Sequence, residues 1–257
     1  MTLSRVSLVT GAGSGIGRAI AIALSHAGYQ VALVGRRESL LHETAGMLAG
    51  ASLVHTADIG DAAKARAAVQ ACVAKLGRLD VLVHNAGLGQ VASIPQTSDE
   101  LLETMYRVNT FAPAWMTREA WGTFASQHVA TGVGGCVITI SSMASIDPFP
   151  GFFAYAGSKA AASIMAASVA KEGAAIGVRA FALAPGAVET PMLRAAFDEA
   201  MISREQTLEP GRVAEIVMAC VRGEHDALNG RNIPVLPEAF KGWYREFQAS
   251  HGLVDAL

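Results

Sequence analysis

Short apolar runs rich in valine, isoleucine and leucine alternate, along nearly the whole chain, with stretches whose apolar positions recur every three or four residues. The first run, about 5–10, leads through a glycine-rich turn into a stretch where Ile16, Ile20, Ala23, Leu24 and Ala27 form a stripe of helical period. Gly28 closes that helix. Further strand-like runs stand at 30–34, 52–56, 81–84, 136–140, 178–184 and 232–236. Helical stretches lie between them at 38–48, 61–76, from 98 into 115–124, from Tyr155 to about 176, and at 213–221. Residues 128–135, with three glycines, read as a loop. After the Pro185-Gly186 break, 188–208 reads as a mobile stretch and candidate substrate lid. Residues 237–250 read as a terminal helix with Phe240, Trp243, Tyr244 and Phe247 on one side, within a helical tail of about 237–257. Strands alternating with helices in this way predict βαβ units and an α/β fold. The expected architecture is a doubly wound parallel sheet of about seven strands with helices on both faces. No repeat, low-complexity tract or linker divides the chain, so a single domain over 1–257 is expected.

Composition agrees with that picture. Apolar residues make up 51%, charged residues only 16%, and the mean hydropathy is +0.34, which suits strands buried on both faces. A net charge of −2 gives no reason to expect nucleic acid or an anionic membrane as partner. The longest apolar region, 160–170, is too short to span a bilayer. Cys72, Cys136 and Cys220 are scattered, and the seven histidines form no HxxxH pair, so no metal site is expected. The chain opens straight into a strand without the layout of a signal peptide, and the expected setting is reduced and cytoplasmic.

Three local patterns carry chemistry. Tyr155 and Lys159, four apart, fall on one face of a helix. An ammonium beside a phenol lowers its pKa from about 10 provided its charge outweighs desolvation, and the pair can then act as a general acid/base. Gly11, Gly15 and Gly17 lie between a strand and a helix, where backbone can pass close to a pyrophosphate and the helix N-terminus can receive it. Candidate contacts in this turn are Gly11, Ser14, Gly15, Ile16 and Gly17. The second strand ends Val34-Gly35-Arg36-Arg37, with no acid where NAD's ribose hydroxyl is usually held. Two guanidinium groups suit the 2′-phosphate of NADP(H), so NADP(H) is expected over NAD(H), with Arg36 and Arg37 as its contacts.

The motifs Thr10-Gly11-Ala12-Gly13-Ser14-Gly15-Ile16-Gly17, Asn85-Ala86-Gly87, Asn109, Ser142, Tyr155/Lys159 and Pro185-Gly186 together resemble the short-chain dehydrogenase/reductase family. Order and spacing match from about 3 to 190, and more loosely to 236. The resemblance implies a Rossmann-like dinucleotide-binding fold. It implies that Tyr155 exchanges a proton with the substrate oxygen, that Ser142 hydrogen-bonds that oxygen, and that Lys159 holds the nicotinamide ribose and depresses the Tyr155 pKa. Asn109 would fix a water relaying protons to Lys159. Asp58 would meet the adenine amino group with Ile59 beside it, and Asn85, Ala86 and Gly87 would lie near the adenosine ribose. Pro185, Gly186, Val188 and Thr190 would run along the nicotinamide. His84 departs from the asparagine usual there, Phe181 from another, and the segment after Asn229 from the usual ending.

The implied reaction moves a hydride between NADP(H) and a carbonyl or secondary alcohol. Met143, Ile146, Phe149, Phe152 and Phe153, with Met192, Leu193, Phe197 and Met201, would give an apolar lining suited to an apolar ketone. A 3-oxoacyl-thioester reductase, served by Arg194 or Arg204, and a sugar or polyol dehydrogenase are the alternatives. A non-enzymatic NADP(H)-binding redox sensor is the alternative from another class. The small-residue face of Ala160, Ala161, Ala162, Ala166 and Ala167 suggests helix pairing between subunits, as a homodimer or homotetramer. A monomer at micromolar concentration by light scattering would count against that.

Overall fold

The structure, a computed structural model, describes residues 4–251; residues 1–3 and the end of the expected tail, 252–257, lie outside the described residues. The strands are β1 (Val6–Thr10), β2 (Gln30–Gly35), β3 (Ser52–Thr56), β4 (Val81–His84), β5 (Gly135–Ile140), β6 (Val178–Pro185) and β7 (Asn232–Val235). They form one seven-stranded sheet in the order β3-β2-β1-β4-β5-β6-β7, with every neighbouring pair parallel. The chain winds outward from β1 to β3, then crosses back to β4 and winds the other way. A crevice opens where the winding reverses, at the carboxyl ends of β1 and β4.

The helices are α1 (Gly15–His26), α2 (Glu38–Ala45), α3 (Ala62–Leu76), α4 (Asp99–Tyr106), α5 (Ala112–Thr131), α6 (Phe153–Gly173), α7 (Pro191–Ala196), α8 (Pro210–Arg222) and α9 (Glu238–His251). On one face Val9, Leu33, Val83, Ile138 and Leu183 pack with Ile20 and Leu24 of α1 and Val213 and Val217 of α8. On the other face Leu8, Ala32, Leu82, Val137 and Ala180 pack with Val69 of α3 and Met116 and Phe124 of α5. Consecutive strand residues alternate between the two cores because side chains along a strand point to opposite faces. Each large side chain so buried contributes about 1.5–3 kcal/mol. This double burial accounts for the high apolar content. Cys72, Cys136 and Cys220 are buried free thiols, and burial pushes each up to about 12. Among the described residues no helix is long and apolar enough to cross a membrane.

Several expected boundaries move. The long helix from 98 is broken by a π-helical turn at Arg107–Phe111 between α4 and α5. The expected loop at 128–135 is mostly helix and strand. α5 runs to Thr131 and ends at Gly132, whose φ of 76° is the left-handed closure glycine favours. A Cβ on Gly135 would stand 2.5 Å from the Phe124 ring, so that glycine serves close packing. α2 stops at Ala45, and Ala174–Ile176 forms a 3₁₀ turn after α6. Residues 188–208 are not featureless. They carry α7 and a 3₁₀ turn at Arg204–Gln206, and their ends are tied by a bridge between Val188 and Leu208. The aromatic side of α9 is divided, with Tyr244 buried and Phe240 and Trp243 exposed. On α6, Ala162 and Ala166 are buried within the chain itself, so they are not part of an outer pairing face.

Candidate active site

The glycine turn is built by close approach. Gly11 has φ +66°, and a Cβ there would lie 2.8 Å from Asn85 Nδ2. On Gly17 it would lie 2.3 Å from the Gly11 carbonyl oxygen. The turn is clamped to the end of β4. Asn85 Nδ2 donates to the Thr10 carbonyl at 2.9 Å, and the Asn85 and Ala86 amides donate to Thr10 Oγ1, each at 3.0 Å. Thr10 is thus a site-building residue that sequence reasoning quoted without a role. Its β-branched hydroxyl at a strand end is the signal that could have found it. Ser14 sits at the N-cap of α1 in extended backbone without a capping bond from its side chain, and no acid occupies the first turn. The free first-turn amides and the glycine cradle fit an anionic pyrophosphate. Ile16 packs against the α1 core.

At the end of β2, Arg36 and Arg37 are exposed. Arg37 reaches Ser14 Oγ at 3.5 Å, at the mouth of the glycine turn. Among the described residues no hydrogen bond or ion pair engages Arg36. Glu38, the nearby acid, pairs with His42 at 3.7 Å. After β3, exposed Asp58 accepts from the Gly60 amide at 3.0 Å, while Asp61, not Asp58, caps α3. Ile59 is buried beside it. Gly87 lies where a Cβ would meet Lys159 Nζ at 3.2 Å and Asn109 Oδ1 at 3.3 Å, so this loop passes from the dinucleotide crevice to the α6 residues.

β5 ends at Ile140, and the two serines after it part. Ser141 turns inward, with its hydroxyl 2.6 Å from that of Ser163 on α6. Ser142 opens a 3₁₀ turn, Met143–Ser145, its hydroxyl accepting from the Ala144 amide at 3.2 Å, and it lies near enough to the Tyr155 phenol to lower its pKa. Tyr155 and Lys159 lie one turn apart on α6. Lys159 Nζ donates to the Ile140 carbonyl at 2.8 Å and stands 5.9 Å from the Tyr155 ring centroid. Burial pushes the Lys159 ammonium down to about 8. Burial also raises the Tyr155 phenol, against the smaller opposing influence of the nearby Ser142 hydroxyl. The expected depression of Tyr155 by Lys159 therefore does not hold in the chain alone, where desolvation outweighs the distant, carbonyl-bound charge.

Asn109 is buried in the π-helical turn. Its Oδ1 accepts from the Leu88 amide at 2.8 Å, and its Nδ2 donates to the Leu88 carbonyl and to Ser158 Oγ, each at 2.9 Å. The side chain thus ties the loop after β4 to α6. Ser158 donates in turn to the Tyr155 carbonyl at 2.8 Å. Its placement between Tyr155 and Lys159 was visible in the sequence, its function as a brace was not. His84 bonds Thr117 of α5 at 2.9 Å, so its substitution is absorbed by a neighbouring helix.

Beyond β6, a Cβ on Gly186 would meet Leu236 at 3.4 Å. Val188 is buried, and the Thr190 hydroxyl caps α7 by accepting from the Leu193 amide. Phe152 packs on Tyr155 at 5.4 Å and stacks on Phe197 of the lid stretch at 6.1 Å, and Phe149 meets Phe152. A Cβ on Gly89 would lie 3.5 Å from both Met192 Sδ and the Tyr155 ring, so Met192 also borders the tyrosine. Phe153 and Met201 stand exposed, and Met143 and Ile146 pack toward α9. Arg194 is paired with Glu189 and bonds the Ile202 carbonyl, and Arg204 is paired with Glu199. The Arg194 pair is largely buried, so that arginine is committed within the chain, whereas the Arg204 pair lies exposed at the surface.

A parallel sheet with a glycine-cradled crevice, beside a serine, tyrosine and lysine at the ends of adjacent elements, defines a dinucleotide-binding oxidoreductase. The short chain dehydrogenase family pattern matches residues 5–200, and the chain belongs to that family. Members bind a nicotinamide cofactor and act on alcohol or carbonyl groups. The chain is 32% identical over 243 residues to a 2-(R)-hydroxypropyl-CoM dehydrogenase of Xanthobacter autotrophicus, covering 89% of this chain and 95% of that one. It is 33% identical over 195 residues to an L-2,3-butanediol dehydrogenase of Corynebacterium glutamicum, covering 74% of each. A crystal structure of 3-ketoacyl-(acyl-carrier-protein) reductase from Brucella melitensis complexed with NADH superposes with a TM-score of 0.85 at 28% identity, covering 91% of this chain and 97% of that one.

Proposed function

We propose that this chain is an NADP(H)-dependent ketone reductase, or secondary-alcohol dehydrogenase in reverse, for apolar substrates, working as a single domain with 188–208 as its substrate lid. The observation that carries the reading is the proximity of Ser142 to the Tyr155 phenol, with Lys159 one turn further along α6 donating to the Ile140 carbonyl at the end of β5. Gly11, Ser14, Gly15, Ile16 and Gly17 would hold the pyrophosphate. Arg36 and Arg37 would hold the 2′-phosphate, and Asp58 and Ile59 the adenine. Asn85, Ala86 and Gly87 would lie by the adenosine ribose, and Lys159 would bond the nicotinamide ribose. Pro185, Gly186, Val188 and Thr190 would flank the nicotinamide. When bound, the reduced cofactor supplies a hydride to the carbonyl carbon. Tyr155, kept neutral by burial, gives its proton to the carbonyl oxygen. Ser142 donates a hydrogen bond to the same oxygen and stabilises the charge that develops there. Asn109 holds the Leu88 loop and Ser158, and so fixes the helix that presents Tyr155. The 3-oxoacyl-thioester reading ranks lower because Arg194, the less exposed of the two lid arginines, is already held by Glu189 and the Ile202 carbonyl.

For the cofactor, the supporting observation is the unengaged Arg36 at a strand end without an acid. Arg36→Ala should weaken NADPH roughly tenfold to a hundredfold, the loss of one charge-assisted contact, and leave NADH nearly unchanged. Titration of both cofactors by fluorescence checks this, and equal losses would sink the assignment.

A further inference from the structure

The family pattern ends at residue 200, so β7 and α9 lie beyond it. Both grip the turn that carries Ser142. From β7, Asn232 Nδ2 donates to Ser145 Oγ at 3.0 Å, and Ser145 Oγ donates to the Ser142 carbonyl at 2.7 Å. From α9, Tyr244 is buried to 1% exposure in a cluster with Met143, Ala184 and Leu236, and Ile146 and Phe247 pack against it. Each partner belongs to a segment that meets at the substrate end of the site. Met143 directly follows Ser142. Ile146 begins the loop to Phe149 and Phe152, which covers Tyr155. Ala184 precedes Pro185 and Gly186, and Leu236 packs on Gly186.

We propose that α9, through the Tyr244 ring, is the wall that limits how large a ketone the site of its own subunit accepts on the Ser142 side. Tyr244 acts as a positioning and size-determining residue. This rests on the ketone-reductase reading above. With the ring in place, Met143 and Ile146 are backed by a packed side chain and cannot retreat. With it removed, the flexible Met143 side chain can swing away and the Ile146 turn can shift back, and the pocket deepens beyond Ser142. Small substrates then lose contact surface and bulky ones gain entry. The glycine turn and the arginines after β2 are on other elements, so the pyrophosphate and 2′-phosphate contacts stay in place, and NADP⁺ affinity is measured in each variant to separate any effect through Gly186.

The test titrates a small alicyclic ketone and a bulky aryl ketone into the protein saturated with NADP⁺, by calorimetry, so that binding is read without turnover. Wild type should prefer the small ketone. Tyr244→Ala should shift the ratio of the two Kd values roughly tenfold to a hundredfold toward the bulky one, the range that a change in pocket size commands. Tyr244→Phe, which keeps the ring, should retain the wild-type ratio. If Tyr244→Ala does not fold, Phe247→Ala at the edge of the cluster should move the ratio in the same direction by a smaller factor. An unchanged ratio in either folded variant, with NADP⁺ affinity intact, would overturn the proposal and leave the ketone-reductase reading standing. Failure of wild type to bind either ketone would overturn both.

Discussion

Tyr155 stands under two opposing influences, and their sizes decide its protonation. Burial raises its pKa and the nearby Ser142 hydroxyl lowers it, while Lys159 donates to the Ile140 carbonyl. The spacing of Tyr155 and Lys159 was legible in the sequence. Which effect wins was not, because desolvation depends on elements far away in the chain. His84 makes the same point with a measurable sign. Burial holds its imidazole at about 3, well below the ordinary value, so the fold keeps it neutral. A pKa depressed by folding leaves stability intact above the unfolded value of about 6.5 and erodes it as pH falls toward about 3. Chemical denaturation across that window should show a loss attributable to His84 of at most about 1.4 kcal/mol per pH unit. His84→Asn should flatten the slope by that amount. An identical slope in the variant would mean that His84 is not held neutral.

At the scale of elements, hydrophobic period located strands and helices well, but it could not show the π turn between α4 and α5. One extra residue in a turn leaves the apolar pattern on either side almost intact, and α4 before the turn still fits closely against α6. That fit can be tested. A Cβ on Gly157 would stand 2.6 Å from the Tyr106 hydroxyl oxygen but 3.7 Å from the ring carbon bearing it. Gly157→Ala should therefore cost about 1–3 kcal/mol through overpacking. In a Tyr106→Phe background the clash is gone, and alanine's helix preference of about 1 kcal/mol over glycine should make the same change neutral or slightly stabilising. Thermal melting of the four proteins checks the coupling, and additive losses would refute the contact. The glycines at 132–135 were misread as a loop for a related reason. A glycine in the sequence does not say whether it closes a helix, as Gly132 does, or admits a neighbour, as Gly135 does for Phe124.

For the molecule as a whole, the alternation of strands and helices was enough to anticipate a doubly wound parallel sheet of about seven strands; the structure shows that the winding reverses between β1 and β4. That the Asn85 segment clamps the glycine turn came only with the structure. What the alternation could not anticipate is how distant segments close on the site. The pairing of Arg194 with Glu189, the stacking of Phe152 on Phe197 and the seating of Tyr244 behind Met143 are contacts between segments that share no local signal. The same contacts stack Phe152 on Phe197 beside Tyr155 and hold Arg194 on Glu189, which supports the proposal of an uncharged ketone as substrate. The most direct measurement follows loss of the reduced-nicotinamide absorbance when purified wild-type protein and Tyr155→Phe are offered alicyclic and aryl ketones with NADPH. Wild type should turn over at least one of them. Tyr155→Phe should lose about 10²–10⁴-fold in rate, the contribution of a positioned general acid, while binding NADPH with nearly unchanged affinity. Turnover in Tyr155→Phe at the wild-type rate, or none in wild type with NADPH demonstrably bound, would contradict the account.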